Sequence, residues 1–187
     1  MPPRSWRVLL LACGVIFLRQ GSAAGAAEQI HPMSLTLTSR AFAHGAAIPS
    51  RHTCDGQDMS PPLAWNEPPS GTKSFVLIND DPDAPMGTWV HWIVYNLPAS
   101  VRQLPEAYPP DAERPDGTRQ GTTDFGRIGY GGPCPPSGTH RYVFTLNALD
   151  TTLSLGSGAT KAQVEAAIQH HVLARAQLMG TYRRARR

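Results

Sequence analysis

Four stretches of the chain carry hydrophobic patterns typical of β-strands. Residues 34–39 alternate as Ser-Leu-Thr-Leu-Thr-Ser, a period of two that predicts a strand with one buried face. Three more are almost continuously apolar, as in strands buried on both faces: 74–78, 89–97 and 142–149. The pattern favours an all-β, mainly β fold, a sandwich or a barrel of strands, over a helical bundle. Of the two we expect a two-sheet antiparallel β-sandwich, with these side chains in the central strands: Trp92, Val94, Val143, Phe144 and Leu146.

The connections between these strands are rich in proline and glycine, with 18 Pro and 17 Gly in the chain. Residues 98–126 form a polar connection that is too long for an unstructured loop inside one domain. We expect this connection to contain a short strand or an extended surface crossing.

A short helix is predicted near the C-terminus. Thr160 and Gln163 fit a capping box, in which each side chain satisfies a backbone N–H at the start of a helix. Gly180 is a suitable end for it. One apolar face is formed by residues four apart: Val164, Ile168 and Val172. We expect this helix to pack at one end of the sandwich.

Residues 1–26 have the organisation of a Sec-type signal peptide. Two arginines precede an apolar run of about 11 residues, and small residues follow at 22–27. A bilayer-spanning helix needs about 20 apolar residues, so no integral membrane anchor is predicted. We expect cleavage after Ala26 or Ala27 and a periplasmic or secreted protein.

Removal of this segment leaves one domain, residues 28–187, and changes the charge balance. The segment carries three arginines and no acid, so the remaining Lys and Arg equal the 14 Asp and Glu. The basic pI of the whole chain therefore does not indicate a nucleic-acid partner. Cys54 and Cys134 remain, and in an oxidising compartment they either form a disulfide or stay as two separate thiols.

The first segment with candidate chemistry is residues 80–92. Three acids in a proline-containing turn follow a predicted strand: Asp80, Asp81 and Asp83. Holding like charges together requires a cation, a proton or backbone donors nearby. His91 lies in the next predicted strand, where strict alternation would place it on the same face as Trp89 and Ile93. Taken alone, His91 fits a buried core residue as well as a functional one.

The second segment is the Gly/Pro-rich stretch 129–138, which leads into the last apolar strand. Glycines let backbone N–H groups approach a ligand closely, and prolines stiffen a loop so that binding orders it at little entropic cost. His140 and Tyr142 are two residues apart and should share a face, with Arg141 on the other.

The order and the amino-acid sequences of these segments resemble the signature motifs of the phosphatidylethanolamine-binding (Raf kinase inhibitor-like) family in its bacterial branch. Asp-Pro-Asp-Ala-Pro at 81–85 followed by 89–92 resembles the first family signature, and 131–136 followed by 140–142 resembles the second. Residues 121–126 depart from the pattern, because bacterial relatives usually carry Lys-Asn before the Asp. The similarity also covers several shorter stretches: 53–56, 60–65, 171–174 and 180–182.

The resemblance implies a pocket for a small anion, such as a phosphate monoester, a phospholipid headgroup or a phosphorylated metabolite. Asp81 is expected to orient a histidine and raise its pKa, and the Gly132 N–H and Tyr142 hydroxyl are expected to complete the hydrogen bonds. No cofactor is predicted, and no metal, because the spacing matches no compact ligand motif. The implied ligand-binding residues are Asp81, His91, Gly132, Pro133, His140 and Tyr142.

The residues favour a binding protein over an enzyme. Family members are described as kinase or protease inhibitors, so a protease or kinase is a further candidate partner, although an exported protein does not meet a cytosolic kinase. The alternative is a hydrolase in which Cys134 is the nucleophile and His140 its base. That alternative is weaker, because Cys134 stands between two prolines and its oxidation would inactivate it.

Overall fold

The computed structural model describes residues 34–184, so the predicted signal peptide at 1–26 lies outside the described residues. Eight strands, one 3-10 turn (Ser50–His52) and one α-helix occur in this part of the chain. The strands are β1 (Leu37–Ser39), β2 (Leu63–Trp65), β3 (Ser74–Asp81), β4 (Trp89–Pro98), β5 (Gln103–Leu104), β6 (Arg119–Gln120), β7 (His140–Leu149) and β8 (Val172–Tyr182). The helix, α1, spans Lys161–Ile168 and precedes β8.

The strands form two antiparallel sheets, as predicted. The smaller sheet has the order β1-β2-β5 and the larger one the order β6-β4-β3-β7-β8. The three long apolar stretches became β3, β4 and β7, which are neighbours at the centre of the larger sheet. The long polar connection contains two short strands, β5 and β6, which confirms that it is not an unstructured loop.

Two hydrophobic clusters lie on opposite faces of the larger sheet. Along β3, Phe75 and Leu77 belong to the cluster shared with the smaller sheet, whereas Val76 and Ile78 belong to the cluster under α1. This alternation explains why β3 is almost continuously apolar, since both of its faces are buried. Of the five predicted central-strand side chains, four are fully buried and Val143 is partly buried.

The helix prediction was correct at its start and wrong at its end. Thr160 and Gln163 form the capping box, but the helix ends at Ile168, and residues from Val172 onward form β8. β8 pairs with the whole length of β7, so these backbone groups bond between strands instead of within a helix. The helix also packs through Val164 and Ile168 on a face of the larger sheet, not at one end of the sandwich.

Within residues 34–184, the structure contains no helix that is both long and apolar enough to cross a membrane.

Candidate functional site

Each of the three clustered acids has its own partner. Asp80 accepts a hydrogen bond from Lys161 at 2.6 Å, and Asp83 forms a two-pronged pair with Arg141 at 2.7 and 2.9 Å. The Arg141 hydrogen bonds lower the pKa of Asp83 to about 2. Burial, by contrast, raises the pKa of Asp80. The charge of the turn is therefore distributed over separate partners, which leaves Asp81 to pair with a histidine.

Asp81 and His140 form a buried pair. The Nδ1 atom of His140 lies 2.7 Å from Oδ2 of Asp81, and only 9% and 5% of the two side chains is exposed. Because a carboxylate accepts, His140 donates from Nδ1 and keeps Nε2 free for another partner. The other carboxylate oxygen of Asp81 accepts the backbone N–H of Asp83 at 2.9 Å. These bonds fix the orientation of the His140 ring.

A β-bulge determines where His91 points. Asn79 pairs with Trp92 and Asp80 pairs with Val90, so His91 is the extra residue on β4. Its ring contacts Tyr142 edge-on, with ring centroids 5.1 Å apart. The expectation that His91 shares a face with Ile93 was wrong, because the bulge breaks the alternation and Ile93 packs in the cluster under α1.

The Gly/Pro segment holds His91 through two backbone atoms. The Nδ1 atom of His91 donates to the Gly131 carbonyl oxygen at 2.7 Å, and the Gly131 N–H donates to the His91 carbonyl at 2.9 Å. The free ring nitrogen of His91 is therefore Nε2, as in His140. Burial lowers the pKa of His91 more than the Gly131 bond and the Asp81 charge raise it. The Asp81 charge acts in the expected direction, but burial outweighs it, so the pKa of His91 lies below the usual histidine value and not above it as expected.

The same segment is fastened to the loop after the 3-10 turn. Cys54 and Cys134 form a disulfide with their Cα atoms 5.4 Å apart, and the Cys54 N–H donates to the Pro133 carbonyl at 3.1 Å. The Gly132 N–H donates to Oδ1 of Asp58 at 2.6 Å. This bond corrects the expectation that the Gly132 N–H is available to an anion. A side chain at position 132 would also lie 2.5 Å from the His52 carbonyl oxygen, so only glycine fits.

Tyr142 packs against the ring of His91. It is fully buried, and its hydroxyl makes no hydrogen bond of ordinary geometry within residues 34–184. Burial raises its pKa well above the usual range, and the charge of Asp81 acts in the same direction. The hydroxyl is therefore a neutral group with an unused hydrogen-bonding capacity close to Asp81.

A cavity of about 290 Å³ opens between these groups. Three of its lining residues are the ionisable side chains Asp81, His91 and His140. The other walls are mostly apolar: Ala84, Pro85, Trp89, Phe125, Cys134 and Pro136. The cavity can therefore hold a small ligand with a polar end against the histidines and a less polar part against the opposite wall.

The family profile described as phosphatidylethanolamine-binding protein matches residues 38–183, which include both sheets and the cavity. The chain belongs to the phosphatidylethanolamine-binding protein family. Among curated relatives, a UPF0098 protein of Methanothermobacter thermautotrophicus is 51% identical over 150 residues, covering 80% of this chain and 99% of the relative. A UPF0098 protein of Aquifex aeolicus is 50% identical over 149 residues, covering 78% and 86%.

Solved structures of family members have the same fold. The phosphatidylethanolamine-binding protein homologue CT736 of Chlamydia trachomatis superposes with a TM-score of 0.75 at 44% identity, covering 81% of this chain and 99% of the homologue. YbcL of Escherichia coli, called a new member of the mammalian family, superposes with a TM-score of 0.73 at 35% identity and the same coverages.

The two sequence segments that resembled the family signatures meet at one cavity in this family member. Asp81, His91 and His140 line it, while Tyr142 packs against His91 and does not line it. Gly132 and Pro133 do not line the cavity. Their backbone groups hold the Gly/Pro segment in place through hydrogen bonds with Asp58 and Cys54. Phe125 was not among the predicted site residues, yet its ring lies edge-on against both Trp89 and His91.

The Cys134 hydrolase alternative does not fit the bonded form of this family member. The Cys134 sulfur is joined to Cys54 and does not titrate, so it offers no thiolate as a nucleophile. Among the described residues no group of three or more His, Cys, Asp or Glu side chains could hold a metal ion.

Proposed function

We propose that this protein is an exported binding protein whose cavity takes a phosphate-type or other small anion, such as a phospholipid headgroup or a phosphorylated metabolite. The observation that carries the proposal is the pair of histidines at the cavity. Each uses Nδ1 inside the protein and keeps Nε2 as the ring nitrogen available to a ligand. Family membership supports a small ligand in general.

The hydrogen-bond pattern determines what protonation the site needs. A neutral histidine that donates from Nδ1 presents a lone pair at Nε2, which repels an anion, whereas a protonated ring donates from both nitrogens. His91 is buried with its pKa lowered, so it is neutral near pH 7 in the free protein. Binding of an anion should therefore be accompanied by uptake of a proton.

The pH dependence of binding tests this proposal. We expect the affinity for phosphoethanolamine to fall as pH rises from 5 to 8, by up to about tenfold per pH unit where one proton is taken up. The lowered pKa of His91 means that this fall begins below the usual histidine pKa of about 6.5. Isothermal titration calorimetry in two buffers of different ionisation enthalpy measures both the affinity and the number of protons.

A phosphate monoester itself titrates near pH 6, so a second ligand is needed as a control. Glycerophosphoethanolamine, a diester whose phosphate keeps a single charge between pH 5 and 8, isolates the protein's contribution. Weaker binding at higher pH with both ligands supports the proposal. Equal affinities from pH 5 to 8 with the diester, or no detectable binding of either ligand, would refute it.

Export is the second part of the proposal. The arrangement of residues 1–26 and the Cys54–Cys134 disulfide both fit an oxidising compartment such as the periplasm or the extracellular space. We expect N-terminal sequencing of exported material to begin near Glu28, after cleavage at Ala26 or Ala27. Material that still begins at Met1 would show that the signal is not processed. Inhibition of a protease or kinase is a separate activity that such a cavity does not require.

A further inference from the structure

A second cavity lies away from the anion site. It has a volume of about 570 Å³ and shares no lining residue with the first. Three outward-facing residues of the smaller sheet, paired in register across β1, β2 and β5, line it: Thr38, Ala64 and Gln103. Four further lining residues are ionisable: Arg40, Arg51, His52 and Glu106. We name this cavity the His52 cleft.

His52 presents a hydrogen-bond acceptor, the ring nitrogen Nε2, to this cleft. The residue is 1% exposed, and its Nδ1 atom lies 3.0 Å from the Met59 carbonyl oxygen, so Nδ1 carries the hydrogen. Burial lowers the pKa of His52, which favours the neutral ring with a lone pair at Nε2. The Nε2 atom lies 3.6 Å from Oε1 of Glu106, beyond hydrogen-bond distance. Two acceptors therefore face each other with no proton between them.

Two arginines line the cleft together with this pair, and they differ in whether they already have an acidic partner. Arg51 pairs with Glu106 at 3.2 Å and neutralises part of its charge. Arg40 also lines the cleft, and within residues 34–184 it makes neither a hydrogen bond nor an ion pair. The cleft therefore offers acceptors at His52 and Glu106 and an uncommitted cation at Arg40.

We propose that the His52 cleft is a second binding site, for a small zwitterion that carries a primary ammonium group and a carboxylate, such as a free amino acid or a short peptide. The ammonium group donates one hydrogen bond to His52 Nε2 and another to the Glu106 carboxylate. Two acceptors that cannot bond to each other are thereby both satisfied. The carboxylate pairs with Arg40. The volume lies within the range of small-molecule sites.

Blocked ligands test the assignment of each group. The probes are glycine and triglycine, N-acetyl-triglycine, which lacks the ammonium group, and triglycinamide, which lacks the carboxylate. We expect binding of triglycine to weaken at least tenfold on acetylation and to weaken on amidation. Calorimetry gives the affinities, and backbone amide shifts in nuclear magnetic resonance spectra locate the site. Equal affinities for blocked and free peptides, or no binding at about 10 mM, would overturn the proposal.

A matched pair of variants identifies the cleft. Glu106→Gln removes the acceptor charge, and Glu113→Gln changes a glutamate that is likewise paired with an arginine, Arg119, outside the cleft. We expect Glu106→Gln to lower triglycine affinity about tenfold and Glu113→Gln to leave it unchanged. Neither variant should alter phosphoethanolamine binding, so the result is independent of the anion site. Unchanged triglycine affinity in Glu106→Gln, or amide shifts centred on Asp81 and His91, would contradict the assignment.

Discussion

Replacing both cysteines of the disulfide, Cys54→Ser with Cys134→Ser, is expected to lower the free energy of unfolding by about 2–5 kcal/mol. The bond joins residues 80 positions apart, so its loss greatly increases the conformational freedom of the unfolded chain. For a domain of this size the melting temperature should fall by roughly 10 °C. Chemical unfolding followed by tryptophan fluorescence measures the change.

The reduced wild-type protein is the control for this experiment, because it loses the same bond without a change of sequence. Its stability should match that of the double serine variant. Both should also bind phosphoethanolamine more weakly, since Cys134 lies in the wall of the anion cavity and Pro133 is held next to Cys54. A loss of less than about 1 kcal/mol in both would show that the Asp58 and Tyr130 hydrogen bonds hold this loop without the disulfide.

His140→Ala is expected to weaken anion binding by one to two orders of magnitude. The variant removes a ring held by Asp81, and a hydrogen bond to a charged group contributes roughly 1.5–3 kcal/mol. It also leaves the buried Asp81 carboxylate without its partner, so some loss of stability accompanies the loss of affinity. Titration of glycerophosphoethanolamine near pH 6, together with a melting curve, separates the two effects.

His171→Ala is the matched control, because His171 forms the same kind of Nδ1 pair with Asp150 at 2.8 Å on the exposed surface. It should leave anion affinity unchanged. Asp81→Asn should weaken binding less than His140→Ala, because the ring nitrogen that meets the ligand remains while only its support changes. If His140→Ala binds the diester as tightly as wild type, the anion does not bind in this cavity.

Local sequence patterns predicted the parts of the fold that depend on neighbouring residues. The apolar stretches became β3, β4 and β7 because their composition suits strands buried on both faces. The alternation at 140–142 placed His140 and Tyr142 inside and Arg141 outside, as expected for a regular strand. Thr160 and Gln163 began α1 because a capping box is completed within a single turn.

Local patterns predicted the wrong structure where long-range strand pairing overrode them. Val172 continued the four-residue spacing of α1, yet it lies in β8, where Ala176, Leu178 and Gly180 are buried at a period of two. Pairing with β7 satisfies the backbone groups of this entire strand, and no local signal shows that such a partner exists.

By itself the sequence determined the antiparallel β architecture, the family, and the identity of the ionisable residues that meet at the cavity. Their geometry was decided only by the tertiary structure. The bulge at His91 turns its ring toward Tyr142, and Asp58, 74 residues before Gly132, occupies the N–H that was expected to bind an anion. Both depend on contacts between distant segments, which patterns of neighbouring residues do not encode.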